Sequence, residues 1–257
     1  MKKTKNKLAY VIGGSGTIGN AIVKKFLDNG IKVINLDIKA KKKSNNNLIF
    51  KKFDLTKINQ IERNLKACIN KFGCPNILIN SSYPITKRWG KINYDNLRLQ
   101  DLRNNIDIHL NSTAWSSIIL AKQMKKRNVN GSIIFINSIY SVLGQDKNLY
   151  KKTNININPV YSLIKSSLIG FSKNIASNYG EYGIRSNTIV SGGVEGRIAG
   201  SKKNQNIIFK NKYKLKTFLN RMTLPEDVSS TAYFLSTDES SYITGTEIYV
   251  DGGYSAK

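Results

Sequence analysis

Tyr161 and Lys165 stand four residues apart in Tyr161-Ser162-Leu163-Ile164-Lys165, with Pro159 just ahead of them. Proline suits the first turn of a helix, and a four-residue spacing sets both side chains on one helix face. A phenol with an ordinary pKa of ~10 is a poor acid or base at neutral pH. An adjacent ammonium favours the phenolate, so Lys165 is expected to lower the pKa of Tyr161 and fit it for moving a proton. Upstream, the apolar run from Ser132 to Asn137 ends at Ser138, whose hydroxyl at the C-terminal end of a strand could hydrogen-bond a carbonyl or carbinol oxygen. By themselves a Tyr/Lys pair and a serine are common, and an ordinary amphipathic helix is the better account of them.

A second chemical signal lies near the start of the chain, where Gly13-Gly14-Ser15-Gly16-Thr17-Ile18-Gly19 follows an apolar run and enters a helical pattern. Glycines let backbone N–H groups approach a pyrophosphate, which the positive end of the helix also attracts. Without a ligand the same run is a tight strand-to-helix turn. Asp37 closes the next apolar run, 21 residues after Gly16, where a carboxylate can accept both ribose hydroxyls and repel a 2′-phosphate. NAD is therefore expected over NADP. Lys39 and Lys41 to Lys43 follow closely and could neutralise such a phosphate, so NADP stays open. Lys165 would then also hold the nicotinamide ribose.

These residues need a frame that brings them together. Strand-like runs occur at Leu8 to Ile12, Lys32 to Leu36, Leu48 to Phe53, Ile77 to Ile79, Ser132 to Asn137, Ile184 to Val190 and Glu247 to Val250, with helical segments between most of them. Such β-α-β alternation predicts an α/β fold with a doubly wound parallel sheet. The first helix is expected from about Ile18 to Leu27, stopping at Asp28-Asn29-Gly30, where glycine can turn left-handed. Two stretches break the rhythm, Gly144 to Asn158 and Glu195 to Arg221, and both are candidates for substrate-facing insertions.

Composition narrows the class. The chain has 257 residues, 40% of them hydrophobic and only 4 proline, enough for a sizeable core in one domain. No apolar run approaches the ~18 residues needed to span a bilayer, and Leu8 to Ile12 lacks a cleavage signature. A cytoplasmic protein is expected. Cys68 and Cys74 form neither a CxxC pair nor a zinc knuckle, so reduced thiols and no metal are expected. The formal net charge is +25, the footprint of a nucleic-acid binder. Yet the lysines run from Lys2 to Lys257 alongside abundant Asn and Ile, a pattern of AT-rich codon drift, and no basic stretch is interleaved with stacking aromatics. Lys41 to Lys43 read as a solvated loop.

Taken together the motifs resemble the short-chain dehydrogenase/reductase family over nearly the whole chain. Its TGxxxGxG cofactor motif is similar to Ile12 through Gly19, with Ile12 for Thr and Thr17 for the middle Gly. Its NNAG element is similar to Asn80-Ser81-Ser82-Tyr83, its acidic residue near adenine corresponds to Asp54, followed by Leu55, and YxxxK is intact with Ser138 as the expected serine. The tail from Leu224-Pro225-Glu226-Asp227-Val228 through Tyr242-Ile243-Thr244-Gly245 to Val250-Asp251-Gly252-Gly253 also matches. The resemblance implies a Rossmann-like fold of about seven strands and a cofactor site of Gly13, Ser15, Gly16, Thr17, Ile18, Gly19, Asp37, Asp54, Leu55, Asn80, Ser81, Tyr161, Lys165, Gly192 and Val194. Catalysis would rest on Ser138, Tyr161 and Lys165.

The departures matter too. His109, the sole histidine, stands where the family carries an Asn that helps organise a proton-relay water. Either the imidazole joins that relay, or it is a satisfied interior histidine at a helix contact. Ser191-Gly192 replaces Pro-Gly and Gly196 replaces a Thr. The 22 residues between Ser138 and Tyr161, with Asn80 to Pro84 and His109, resemble the branch of flagellin-modification and surface-polysaccharide sugar oxidoreductases. That implies a phosphorylated or nucleotide-linked sugar as substrate. In this family 195–221 forms a lid, here carrying Arg197, Lys202, Lys203, Lys210, Lys212, Lys214, Lys216 and Arg221. Such a lid would attract an anionic sugar, although codon drift explains it equally. Tyr83, Tyr140 and Tyr150 could line a sugar-binding face or simply pack. The family also implies a homotetramer or homodimer built on the helix around Asp107 to Met124. Rival readings are a 3-oxoacyl-thioester reductase, or a dinucleotide-fold protein that binds nucleic acid through its basic surface.

Overall fold

Side chains alternate across each strand, and in this chain both faces are apolar, which is what a parallel sheet covered by helices on both sides requires. In β1 (Leu8–Ile12), Ala9 and Val11 face one layer while Tyr10 and Ile12 face the other, all four buried. β2 (Lys32–Asp37), β4 (Ile77–Asn80) and β5 (Gly131–Ser138) are likewise largely buried and apolar, and β6 (Ile184–Ser191) is buried around a polar centre of Ser186, Asn187 and Thr188. The outer strands β3 (Leu48–Lys52) and β7 (Glu247–Val250) are only partly covered. This computed structural model describes residues 7–40, 46–153, 155–196 and 204–256; Lys2, Lys41 to Lys43, Arg197, Lys202, Lys203 and Lys257 lie outside them.

Among the described residues the sheet has seven parallel strands in the order β3-β2-β1-β4-β5-β6-β7. Helices α1 (Thr17–Asp28) and α8 (Pro225–Ser236) cover one face. Helices α2 (Ile58–Phe72), α4 (Ser112–Lys126) and α6 (Pro159–Tyr179) cover the other. This is the doubly wound Rossmann-like arrangement that the β-α-β pattern indicates. The order reverses between β1 and β4, so a crevice opens at their carboxyl ends, where such sheets bind ligands.

Helix α1 ends as the sequence predicts: Gly30 takes a φ of +75° and donates to the Leu27 carbonyl. The central helix differs from expectation. α3 (Leu99–Asn105) runs through a π-helical turn, Ile106–Asn111, into α4, so the ladder is widened around His109. Such insertions occur mostly at functional sites. The two rhythm-breaking stretches contain short helices, α5 (Lys147–Tyr150) and α7 (Ile207–Lys214). No helix among the described residues is long and apolar enough to cross a membrane.

Candidate active site

Helix α6 starts at Pro159, and Asn158 caps it, its side-chain oxygen accepting from the Val160 N–H at 3.0 Å. The cap fixes the first turn, and with it Tyr161 and Lys165 on the face toward β5. Asn137 ties the two elements further, donating to the Lys165 carbonyl at 3.0 Å while accepting from the Ser138 N–H at 2.9 Å. Ser138 ends β5 buried, its hydroxyl oxygen accepting from the Tyr140 N–H. The Lys165 ammonium is buried too, donates to the Ile136 carbonyl at 3.0 Å, and sits 5.9 Å from the centre of the Tyr161 ring. Thus the three residues that the sequence singles out converge at the C-terminal end of β5.

Their electrostatics correct one expectation. The Tyr161 pKa is raised rather than lowered: desolvation by burial dominates, and the hydrogen bond with Ser138 opposes it. Desolvation also pulls Lys165 down to about 8. Burial disfavours both charged forms, and the ammonium is directed at the Ile136 carbonyl. At neutral pH a lysine with a pKa of about 8 still carries its proton for most of the time.

Around Tyr161 stands a wall of rings. The His109 imidazole stacks on the Trp89 indole, ring centres 4.6 Å apart and 26° from parallel. Tyr83 meets both edge-on, at 5.5 Å from His109 and 5.7 Å from Trp89, and its hydroxyl accepts from the indole N–H at 2.9 Å. Tyr161 closes the group, 5.9 Å from Tyr83 and 6.2 Å from Trp89. His109 is buried, and its Nε2 has no partner among the described residues. Burial, helped by the nearby charge of Lys165, lowers its pKa to about 3, so the ring is neutral.

Trp89 is absent from the residues singled out by motif. A tryptophan in the loop that follows a strand's carboxyl end was the available signal, because that end of the sheet is where ligands sit. Of the three tyrosines expected there, Tyr83 sits within the wall and Tyr140 meets the Tyr161 ring edge-on at 6.4 Å. Tyr140 is buried and accepts a hydrogen bond from the Tyr150 hydroxyl at 2.9 Å, and both pack into a small core with Phe209 and Tyr213.

The glycine run forms a cradle at the switch point. Gly13 has a φ of +82°, and a Cβ there would lie 2.7 Å from the Ser82 backbone; one on Gly19 would lie 2.1 Å from the Gly13 carbonyl. Gly16 precedes α1, which has no side-chain cap, and Thr17 and Ile18 form its first turn. The Asp37 carboxylate accepts from the Ser15 N–H at 2.9 Å, and Ser15 in turn donates to the Lys39 carbonyl and accepts from Asn35. Ser81 donates to the Ile12 and Gly13 carbonyls. Asn80 is buried with its amide nitrogen unpaired among the described residues. Asp54 accepts from both the Thr56 N–H and hydroxyl, while the Leu55 side chain joins the apolar core. Close backbone approach, an uncapped helix and an unpaired donor together suit a dinucleotide.

On the far side, Gly192 donates to the Val250 carbonyl and Val194 bridges to Thr223. Gly196 approaches Thr17, so the two departures from the family pattern lie beside each other. The expected cationic lid is largely committed to the protein itself. Lys210 pairs with Glu195, Lys216 with Asp146 and Arg221 with Asp227. Lys212 donates to the Asn148 and Lys151 carbonyls, joining α7 to the segment around α5. Among the described lid cations, Lys212 and Lys216 thus clip the two insertions together, while Lys210 pairs within the lid and Arg221 with α8.

Comparisons with known proteins agree with this geometry. Residues 13–255 match the protein family described as Enoyl-(Acyl carrier protein) reductase. The chain is 29% identical to the post-translational flagellin modification protein A of Campylobacter coli, over 97% of this chain and 98% of that one. It is 30% identical to a 3-oxoacyl-(acyl-carrier-protein) reductase of Buchnera aphidicola subsp. Schizaphis graminum, covering 98% of each. A short-chain dehydrogenase of Leptospira borgpetersenii, crystallised with bound NAD+, superposes with a TM-score of 0.85 at 29% identity, covering 97% of this chain and 93% of that one. With the Ser138, Tyr161 and Lys165 cluster set beside a glycine cradle on this sheet, the chain belongs to the short-chain dehydrogenase/reductase family of oxidoreductases.

Proposed function

We propose that the protein is an NAD(H)-dependent enzyme that interconverts an alcohol and a ketone on a phosphorylated or nucleotide-linked sugar, in the cytoplasm, for surface glycan or nonulosonate-type synthesis. The observation that carries the redox chemistry is the convergence of Ser138, Tyr161 and Lys165 beside the cradle that Asp37 closes. NAD held there would accept the hydride in the oxidising direction and NADH would supply it in reverse. Gly13, Ser15, Gly16, Thr17, Ile18 and Gly19 would face the pyrophosphate, Asp37 the adenosine ribose, Asp54 and Leu55 the adenine, and Asn80, Ser81, Gly192 and Val194 the nicotinamide half.

Ser138 would orient the reacting oxygen. Tyr161 would take the hydroxyl proton as the carbon gives up its hydride, and return it in the opposite direction. Lys165, protonated at neutral pH, would hold the ribose and set the field at the phenol. With a ribose hydroxyl in reach, its ammonium gains a partner besides the Ile136 carbonyl, and the phenolate that forms in turnover gains the nearby positive charge.

The relation to the flagellin modification protein supports the sugar, as does the aromatic wall, since rings of this kind pack on the apolar face of a hexose. Most of the described lid cations are committed elsewhere, so the anionic group of the substrate is the part that needs its own test. The relation to the Buchnera reductase favours a second reading, reduction of a 3-oxoacyl thioester. By family resemblance the protein would assemble as a homodimer or homotetramer through α4 and α6.

Turnover decides between the readings. Reduced-nicotinamide absorbance is followed with glucose 6-phosphate, UDP-glucose, glucose and an acetoacetyl thioester. Turnover of the sugars, with phosphorylated forms preferred, is the expected result; turnover of the thioester alone overturns the sugar reading. Tyr161→Phe is expected to cut kcat by about 100-fold or more with the fold intact, and unchanged turnover would remove Tyr161 from the chemistry.

A further inference from the structure

We infer that Trp89 is a substrate-positioning residue: its indole, clamped between His109, Tyr83 and the start of α6, is the fixed platform against which the substrate ring is seated beside Tyr161. This rests on the sugar reading above. A partly buried tryptophan in a loop ordinarily moves, yet this one is held at one ring face, at its N–H and along its backbone. His109 covers it face to face and Tyr83 accepts its N–H. The backbone is tied as well. Asn158 donates to the Trp89 carbonyl and Asn156 to the Gly90 carbonyl, each at 3.0 Å. The preceding residue, Arg88, is bound to Asp101 at 3.0 Å, whose carboxyl Arg98 first and Arg88 with it hold down at about 2.

Those restraints come from four separate parts of the chain, and one of them also places Tyr161. Asn158 caps the helix that carries Tyr161 and also fixes Trp89, so the phenol and the indole keep one spacing. The π-helical turn places His109 under the indole with its ring neutral. A neutral imidazole stacks on an indole without bringing a charge that would need solvent. A rigid aromatic surface lowers the ordering cost of a ring that lands on it and offers a polar-rimmed face for C–H groups. An extended acyl chain gains less from such a platform. The geometry thus bears on KM and on substrate class more than on proton transfer.

The test uses the full chain with Trp115→Phe, which leaves Trp89 as the single tryptophan. Titration with glucose 6-phosphate, UDP-glucose and glucose in the presence of NAD+ is expected to change the Trp89 emission. Trp89→Ala is expected to raise KM for whichever sugar is turned over by about tenfold or more, equivalent to ~1.4 kcal/mol, with kcat changed far less. Trp89→Phe should recover most of that loss, and NADH affinity should stay as in the parent protein. If the parent turns over a sugar while emission and KM ignore the change at Trp89, the platform is refuted and the sugar reading stands. If kcat and NADH affinity collapse along with KM in both variants, Trp89 is merely structural and the inference fails. Turnover of the acetoacetyl thioester alone overturns both.

Discussion

Asn158 reaches in two directions: its side-chain oxygen accepts from the Val160 N–H, and its amide nitrogen donates to the Trp89 carbonyl, each at 3.0 Å. One buried side chain therefore both begins the helix of Tyr161 and anchors the loop that faces it. The two roles separate on substitution. Asn158→Ser keeps an oxygen for the cap but cannot reach Trp89, whereas Asn158→Ala loses both. Loss of a cap costs about 1 kcal/mol, so Asn158→Ala should lower the urea midpoint and Asn158→Ser should lower it much less. Both should raise KM for the substrate. Equal stability of the two variants would show that the cap contributes little.

His109 makes the fold sensitive to acid. Its folded pKa of about 3 lies below the ordinary 6.5, so across that interval the unfolded chain binds a proton that the folded chain refuses. Stability must then fall as pH drops from 6.5 toward 3, by at most about 5 kcal/mol. In His109→Phe, which keeps the ring against Trp89, this part of the slope should vanish. Chemical denaturation of both proteins at a series of pH values measures it. Parallel curves for parent and variant would mean that His109 is protonated in the folded protein.

The bond from the Ser15 N–H to Asp37 joins the glycine loop to the end of β2, and in the function proposed above this carboxylate repels a 2′-phosphate. Removing it in Asp37→Ala takes away the repulsion and loosens the loop. The ratio of NADPH to NADH dissociation constants should fall by about tenfold or more, ~1.4 kcal/mol. Calorimetric titration of each dinucleotide reads the ratio directly. An unchanged ratio would place the discrimination elsewhere.

Two glycines give opposite expectations from the same substitution. In Gly19→Ala the new Cβ would lie 2.1 Å from the Gly13 carbonyl, inside the backbone of the cradle. Dinucleotide binding should be lost along with stability. In Gly170→Ala nothing lies within 4 Å, and the position is in the middle of α6. Alanine there should stabilise the protein by about 1 kcal/mol without altering dinucleotide affinity. Thermal unfolding with and without NADH distinguishes the two, and a destabilised Gly170→Ala would reveal a contact on that face, such as a second copy of the chain.

The sequence by itself determined the sheet, its parallel winding, the glycine run and the four-residue spacing of Tyr161 and Lys165. These are written in short-range terms. Strand runs alternate two apolar faces, a helix repeats every three to four residues, and Gly30 stops α1 because its backbone can turn left-handed. Tertiary structure alone decided the rest. Trp89 meets His109 across 19 intervening positions, and the π-helical turn and the Asn158 tether bring them face to face. The lid lysines read as free charge in the sequence, yet their partners come from remote segments such as Asp146 and Asn148. The same holds for proton affinity. Four-residue spacing placed Lys165 near Tyr161, but burial of both, which depends on everything packed around them, set the direction in which their pKa values moved.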